Sequence, residues 1–260
     1  MFDWLSNLHV VWIAIVVLAA TGLLTVAIYA TVNRLARGDR AGAFAAVSPA
    51  MLPPMGILFG LIVGFLAVGV WDNVARAQEA VASEASALRS IVLLSNDLPT
   101  DSGDRVRASI RRQIDSAIDE EWPAMQEQRA SLSVIPALSD TLKLALGYKP
   151  ENDGQVIVQR EIVTSIEDAL DARRQRIIVS ESNINAVKWT SLIALAALML
   201  IAIAVVHSGN RTGSRIAMAV FATAVAVVIT MLVAQDQPFS GQLGLDPDLL
   251  EQVLPTPSQS

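Results

Sequence analysis

Four long apolar runs, two before and two after a single polar block, constrain this chain more than any other feature. They cover residues 10–32, 47–71, 189–206 and 216–234, and none contains Asp, Glu, Lys or Arg. Each run is close to the roughly 20 residues that a helix needs to cross the hydrocarbon of a bilayer. The sequence therefore predicts an integral membrane protein with four transmembrane helices.

Composition supports the same class. The mean hydropathy is +0.47, with 53% apolar and 17% charged residues, which is too apolar for an ordinary soluble domain. Most of the charge lies in the polar block, which is long enough to bury a small core of its own. The predicted organisation is two helices in 1–71, a soluble helical domain in 72–187, two helices in 188–235 and a tail in 236–260.

The soluble block is predicted to be a helical bundle. Apolar residues recur every three or four positions through 74–92 and again through 162–187, which is the helical period. The first stretch follows the second span and the second leads into the third span without Gly or Pro, so both helices are predicted to continue into the membrane. A further helix is expected from a cap at Thr100 to about Trp122, and a loop at 147–154.

Arginines in the two short loops predict the orientation. Arg34, Arg37 and Arg40 lie in the first loop and Arg211 and Arg215 in the second. Short loops rich in Lys and Arg stay in the cytoplasm. The soluble domain and both termini are then expected outside a bacterial inner membrane.

Tryptophans mark the predicted helix ends on the side of the soluble domain. They are Trp4, Trp71 and Trp189, and amphipathic rings favour the headgroup layer. Trp4 and Trp189 are interpreted as lipid anchors.

The second span carries two stripes with a spacing of four residues. Three glycines share one face, where a backbone without side chains lets another helix approach closely. The neighbouring stripe is apolar, and a ring of such side chains around an axis would make a constriction that gates by dewetting. The alternative is that these side chains face lipid or pack within the subunit. The glycines are Gly56, Gly60 and Gly64, and the apolar residues are Ile57, Leu61 and Phe65.

Further residues of this span make it resemble the neck helix of bestrophins. These residues are Pro53 and Pro54 near its start, Val63-Gly64-Phe65-Leu66-Ala67, and Trp71-Asp72-Asn73 at its end. The whole chain resembles the bestrophin-like domain family of bacteria and plants. The residues that carry this wider resemblance are Trp71, Glu84, Glu121, Trp122, Pro123, Asp236, Pro238, Phe239 and Gly241.

The resemblance implies a four-span protein related to pentameric anion channels, with the second span of each subunit lining the pore. Leu61 departs from the pattern, because bestrophins tend to place a second neck phenylalanine there. Bestrophins also keep the large domain and both termini in the cytoplasm, which conflicts with the orientation from the arginine count.

Two functional classes remain open. The first is an oligomeric ion channel, anion-preferring by the resemblance, with lipid, further copies of the chain and inorganic anions as partners. The second is a membrane-anchored sensor or interaction protein whose soluble bundle binds a ligand or partner.

No motif of an enzyme is present, and neither a cofactor, a metal nor nucleic acid is expected. Five arginines could form an anion-attracting vestibule or pair with nearby acids: Arg111, Arg112, Arg173, Arg174 and Arg176.

Overall fold

The fold is helical throughout the residues that the structure, a computed structural model, describes: 9–37, 41–130, 136–182 and 184–253. No strand occurs in these ranges, so the predicted all-α class is confirmed. The α-helices are α1 (Val10–Leu35), α2 (Ala41–Ala45), α3 (Leu52–Leu94), α4 (Thr100–Ser116), α5 (Trp122–Gln126), α6 (Pro136–Gly147), α7 (Asp153–Ser180), α8 (Ala186–Val206), α9 (Arg211–Gln235) and α10 (Asp248–Glu251).

Four of these helices, α1, α3, α8 and α9, are long and apolar enough to cross a membrane. The four predicted spans are thereby confirmed. The chain divides into two compact units. The first, which we call the membrane unit, comprises Met1–Asp72 and Asn183–Asp236; the second, the bundle unit, comprises Asn73–Ser182 and Gln237–Ser260.

The core of the membrane unit is built by apolar faces of α1, α3, α8 and α9. Ile13 of α1, Leu66 of α3 and Leu192 of α8 are all buried there. Trp189 is also buried, with 2% of its surface exposed, so its interpretation as a lipid anchor is wrong. The ring packs between helices of the membrane unit instead, because a large aromatic ring contributes much apolar area to a core. Trp4 lies outside the described residues.

The bundle unit has a core of its own, formed by the second half of α3 with α4, α6 and α7. These helices contribute fully buried apolar residues at helical spacing, as the sequence period predicts. The members with no exposed surface are Ala77, Leu88, Ile91, Ile110, Ile114, Leu138, Ile166 and Ala169. The tail residues Phe239, Leu250 and Val253 belong to the same core.

A widened helical turn, a π-turn, joins α4 to α5 at Ala117–Glu121. The sequence predicts a helix up to Trp122 and a restart at Pro123, whereas the chain stays helical through both residues. Proline lacks an N–H and clashes with the carbonyl four residues earlier, and a π-turn is one way a helix absorbs such a conflict. At the other end, α4 begins at Thr100, and no side chain caps it.

The chain breaks between α7 and α8, where the sequence predicts one continuous helix. Helix α7 ends at Ser180, and α8 starts after a new cap, in which Asn185 Oδ1 accepts the N–H groups of Val187 and Lys188 at 2.6 and 3.3 Å. The Asn side chain satisfies donors that a helix start leaves free. The continuous-helix prediction is therefore wrong on this side, while α3 runs unbroken as predicted.

Candidate functional site

Four charged side chains meet inside the bundle unit and form what we call the arginine–glutamate cluster: Glu84, Glu121, Arg173 and Arg176. Arg176 Nε and Nη2 donate to the two carboxylate oxygens of Glu84 at 2.6 and 3.2 Å. Arg176 Nη2 also donates to Glu121 Oε2 at 2.6 Å, and Arg173 Nε donates to Glu121 Oε1 at 2.8 Å. One arginine thus bridges two carboxylates that lie 37 residues apart in sequence.

The cluster is shielded from water and balanced in charge. Glu84 and Arg176 have no exposed side-chain surface, and Arg173 and Glu121 have 7% and 11%. Burial raises the pKa of Glu84 above its ordinary value, although Arg176 opposes the rise. Burial would lower the pKa of Arg176, but Glu84 and Glu121 more than reverse this and raise it, which keeps the guanidinium charged. Two acids facing two arginines make a neutral group when all four are ionised.

Aromatic residues close one side of the cluster. The Arg176 guanidinium carbon lies 5.5 Å from the centroid of the Trp122 ring, within the range of a cation–π contact. Phe239 meets Trp122 edge to face, with ring centroids 5.4 Å apart at 85°. The motif residues Glu84, Glu121, Trp122 and Phe239 therefore converge from three distant segments of the chain.

Hydrogen bonds fix the tail to α5, next to this cluster. Trp122 Nε1 donates to the Leu245 carbonyl at 3.1 Å, and the Ser240 hydroxyl donates to the Gln126 carbonyl at 2.7 Å. The Pro238 carbonyl accepts the Leu245 N–H at 2.8 Å. Gly241 has a φ of 75°, a left-handed conformation that favours glycine. The motif residues Pro238, Phe239 and Gly241 therefore belong to a turn that packs within the bundle unit.

The arginine–glutamate cluster has few groups that could bind a ligand or take part in a reaction. Its carboxylates are already paired with arginines, so neither is free to bind a cation. Within the described part of the chain, no group of three or more His, Cys, Asp or Glu residues could hold a metal ion. The arginines of the supposed vestibule are mostly engaged as well, since Arg173 and Arg176 are in the cluster and Arg174 pairs with Asp171 at 3.3 Å. Of the five, Arg111, Arg112 and Arg174 have exposed side chains.

The role of Arg173 and Arg176 was missed by the sequence analysis, although a signal was present. Buried positions of α7 follow one stripe with alternating spacings of three and four residues. Both arginines occupy positions of that stripe, where an apolar side chain is expected. A charged residue at such a position indicates a buried partner. The stripe runs through Ile162, Ile166, Ala169, Arg173, Arg176 and Ser180.

The membrane unit contains the second candidate site, on α3. Ile57, Leu61 and Phe65 are 69%, 55% and 70% exposed, whereas Leu66 on the opposite face is buried. The subunit covers only one side of this helix. The apolar stripe predicted as a pore neck lies on the side that no other part of the described subunit covers.

The glycine stripe of α3 is also mostly open. A Cβ built on Gly56 would lie 3.7 Å from the Met199 side chain, in ordinary contact, whereas one on Gly60 or Gly64 would meet no atom within 4 Å. Close packing at Gly60 and Gly64 is thus absent within the described subunit.

Two further motif residues lie at one end of the membrane unit. Trp71 Nε1 donates to Gln235 Oε1 at 3.0 Å. Asp236 Oδ1 accepts the backbone N–H of Ile184 at 2.8 Å, just before the cap of α8. Trp71 therefore ties α3 to α9, and Asp236 ties the end of α9 to the start of α8. The remaining motif residue, Pro123, belongs to the bundle unit, where it lies in the first turn of α5.

Comparison with known proteins gives one consistent result. The profile of the Bestrophin-like domain matches residues 9–250. Two crystal structures of variants of a bacterial bestrophin homologue from Klebsiella pneumoniae are similar, with TM-scores of 0.70 and 0.69 and sequence identities of 11% and 10%. They cover 92% of this chain and 96% and 97% of theirs.

A crystal structure described as a membrane protein is similar to the same degree, with a TM-score of 0.69 and 11% identity over 92% of this chain and 95% of the other. No curated protein sequence matches the chain. At these identities, the structural likeness concerns the fold alone.

Proposed function

The chain belongs to the bestrophin-like family, and from this premise we propose that it forms an oligomeric ion channel whose pore is lined by α3. The observation that carries the proposal is the uncovered apolar face of α3, with Ile57, Leu61 and Phe65 all more than half exposed. Around a symmetry axis, one such helix from each subunit would form a narrow apolar neck. Such a constriction stops ions when it dewets and passes them when it widens or hydrates.

The glycines support a ring of subunits. Glycine in a helix interior costs roughly 1 kcal/mol relative to alanine, so a stripe of glycines needs a compensating contact. Gly60 and Gly64 find none within 4 Å in their own subunit. A helix of a second copy, approaching closely at this stripe, supplies the compensation. We propose a closed ring, with five subunits as the family resemblance implies.

We propose that the channel prefers anions, and the family relationship supports this. The membrane segments of α1, α3, α8 and α9 contain no Asp or Glu. These segments are 10–32, 52–71, 189–206 and 216–234. A negatively charged side chain along the proposed path would repel an anion, and none is present there. The neck itself gives no charge selection, so selection between anions would depend on dehydration and neck width.

Orientation is part of the proposal. The arginines of the short loops favour an orientation in which the bundle unit and both termini lie on the outer side of a bacterial inner membrane. Because the chain has no cysteine, a single Glu151→Cys or Gly209→Cys variant can be labelled in intact cells with an impermeant maleimide. Labelling of Glu151→Cys alone supports the outside assignment. Labelling of Gly209→Cys alone reverses it.

The functional test is halide flux from liposomes that contain the purified protein. Leu61→Ala is compared with Leu198→Ala, because the two leucines are almost equally exposed at 55% and 54%, but Leu198 lies on α8, outside the proposed neck. Widening of the neck should change flux at least several-fold for Leu61→Ala, and Leu198→Ala should stay within twofold of the unaltered chain. Flux no higher than that of empty liposomes rejects the channel.

A further inference from the structure

A cavity of about 230 Å³ lies within the bundle unit, between α4, α6 and α7. Four apolar residues of its lining are themselves buried, so this part of the wall belongs to the packed core. The volume is below the usual range for drug-sized ligands, which points to a small occupant. The buried apolar lining residues are Leu98, Val106, Ala145 and Ile162.

The charged lining of the cavity has one sign. Arg105 and Lys143 line it, and no Asp or Glu does. Each cation has an acidic partner one turn earlier on its own helix, at 2.9 Å for Arg105 with Asp101 and 3.1 Å for Lys143 with Asp140. Both ion pairs are largely exposed, and exposed ion pairs contribute little to stability. A ligand carboxylate could therefore compete for both cations at small cost.

A hydrogen-bonding group at the cavity has no partner. The hydroxyl of Tyr148, a lining residue, is buried and without a hydrogen bond to any described part of the chain. Buried polar groups are normally satisfied, and leaving one unpaired is costly. The surrounding chain is held in place, since Gln159 Nε2 donates to the carbonyls of Ala145 and Tyr148 at 2.7 and 2.9 Å.

We propose that this cavity is a binding site for a small monocarboxylate with a short alkyl chain. The carboxylate pairs with Arg105 and Lys143, and it can accept a hydrogen bond from the Tyr148 hydroxyl. The alkyl chain covers the apolar wall formed by residues such as Val106 and Ile162. An inorganic anion would leave this wall unused, and an amine would be repelled by the two cations.

Calorimetry on the full chain in a maltoside detergent tests the ligand class. Hexanoate should bind saturably, and hexanol and hexylamine, of equal chain length, at least tenfold more weakly. Each buried methylene is worth about 0.8 kcal/mol, so hexanoate should bind about 15-fold more tightly than butanoate. Equal binding of hexanoate, hexanol and hexylamine, or no binding of hexanoate, overturns the proposal. This comparison needs no variant, so folding defects cannot obscure it.

Paired variants then locate the site. Arg105→Gln with Lys143→Gln should weaken hexanoate binding at least tenfold. The matched control is Arg112→Gln with Lys149→Gln, which removes one exposed Arg from α4 and one exposed Lys just after α6 and should change binding less than twofold. Equal losses in both pairs would show nonspecific attraction and refute the site. The readout is binding without ion flux, so this proposal and the channel can fail separately.

Discussion

The bundle unit and the membrane unit differ in whether their distinctive residues find partners within the subunit. In the bundle unit, Arg176 forms ion pairs with Glu84 and Glu121 in the interior. In the membrane unit, Leu61 and Phe65 remain more than half exposed and have no cover within the described subunit. Side chains that pair with one another inside a subunit contribute to the fold of that subunit. Exposed apolar side chains are available to pack against further copies of the chain.

The largest expected effect tests the buried side of this comparison. Arg176→Met would leave Glu84 buried and unpaired, because Arg176 is its only charged hydrogen-bond partner in the cluster. Loss of one partner from a buried ion pair typically costs about 3–5 kcal/mol. Denaturant unfolding, followed by the fluorescence of Trp122 and the other tryptophans, should show a loss of this size. The control is Arg174→Met, which removes an exposed arginine two positions earlier and should change stability by less than about 0.5 kcal/mol.

Two phenylalanines sharpen the same contrast. Phe239 is 2% exposed and packs on Trp122, whereas Phe65 is 70% exposed. Phe239→Ala should lower the unfolding free energy by about 3 kcal/mol through lost burial and a residual cavity. Phe65→Ala should leave the unfolding of the isolated subunit within about 0.5 kcal/mol and alter halide flux instead. The comparison between the units breaks down if the two substitutions destabilise the subunit equally.

Two glycines give a smaller and more local contrast. Gly241→Ala should cost about 1–2 kcal/mol, because its φ of 75° is unfavourable for a residue with a Cβ. Gly60→Leu should leave the single subunit folded, since no atom lies within 4 Å of the added Cβ, but should reduce the population of rings in size-exclusion chromatography with light scattering. The control is Gly22→Leu on α1, which also meets no atom within 4 Å. If both leucine variants assemble normally, the glycine stripe of α3 is not a subunit contact.

The pH dependence of stability tests the buried side of the comparison through the sign of one pKa shift. Burial raises the pKa of Glu84 above its ordinary 4.5, so in the window above pH 4.5 the folded chain holds a proton that the unfolded chain has lost. The stability from this proton is full below pH 4.5 and disappears as pH rises through the folded pKa. The stability of the unaltered chain minus that of Glu84→Gln should therefore decrease as pH rises from 4 to 7. The same subtraction for Glu79→Gln, an exposed residue on α3, is the control, and an increase for Glu84→Gln would contradict the assigned shift.

The spans and the helical class could be predicted from sequence, because length and apolarity alone decide whether a helix can cross a bilayer. The break between α7 and α8 could not, since Ile184 and Val187 continue the apolar period across it. The contacts made by Asn185 and Asp236 favour a new helix start there over a longer α7. The contact of Asp236 with Ile184 depends on tertiary structure, which periodicity does not encode.

The candidate site was predicted in part. The motif residues were identified, but not that Glu84, Glu121 and Trp122 would meet around one arginine, since their pairing joins distant segments. The stripe of Ile57, Leu61 and Phe65 could be read from its spacing, and the structure adds that this face is uncovered. Its role as a neck stays a prediction, because a ring of subunits would create that environment.

The central claim is that α3 faces the axis of a closed ring, and electron microscopy of the purified protein in mild detergent tests it most directly. The account predicts a symmetric ring in which Ile57, Leu61 and Phe65 of every subunit point to the axis and Gly60 contacts the adjacent copy. A monomer or dimer, or a ring in which these three side chains face lipid, would contradict it.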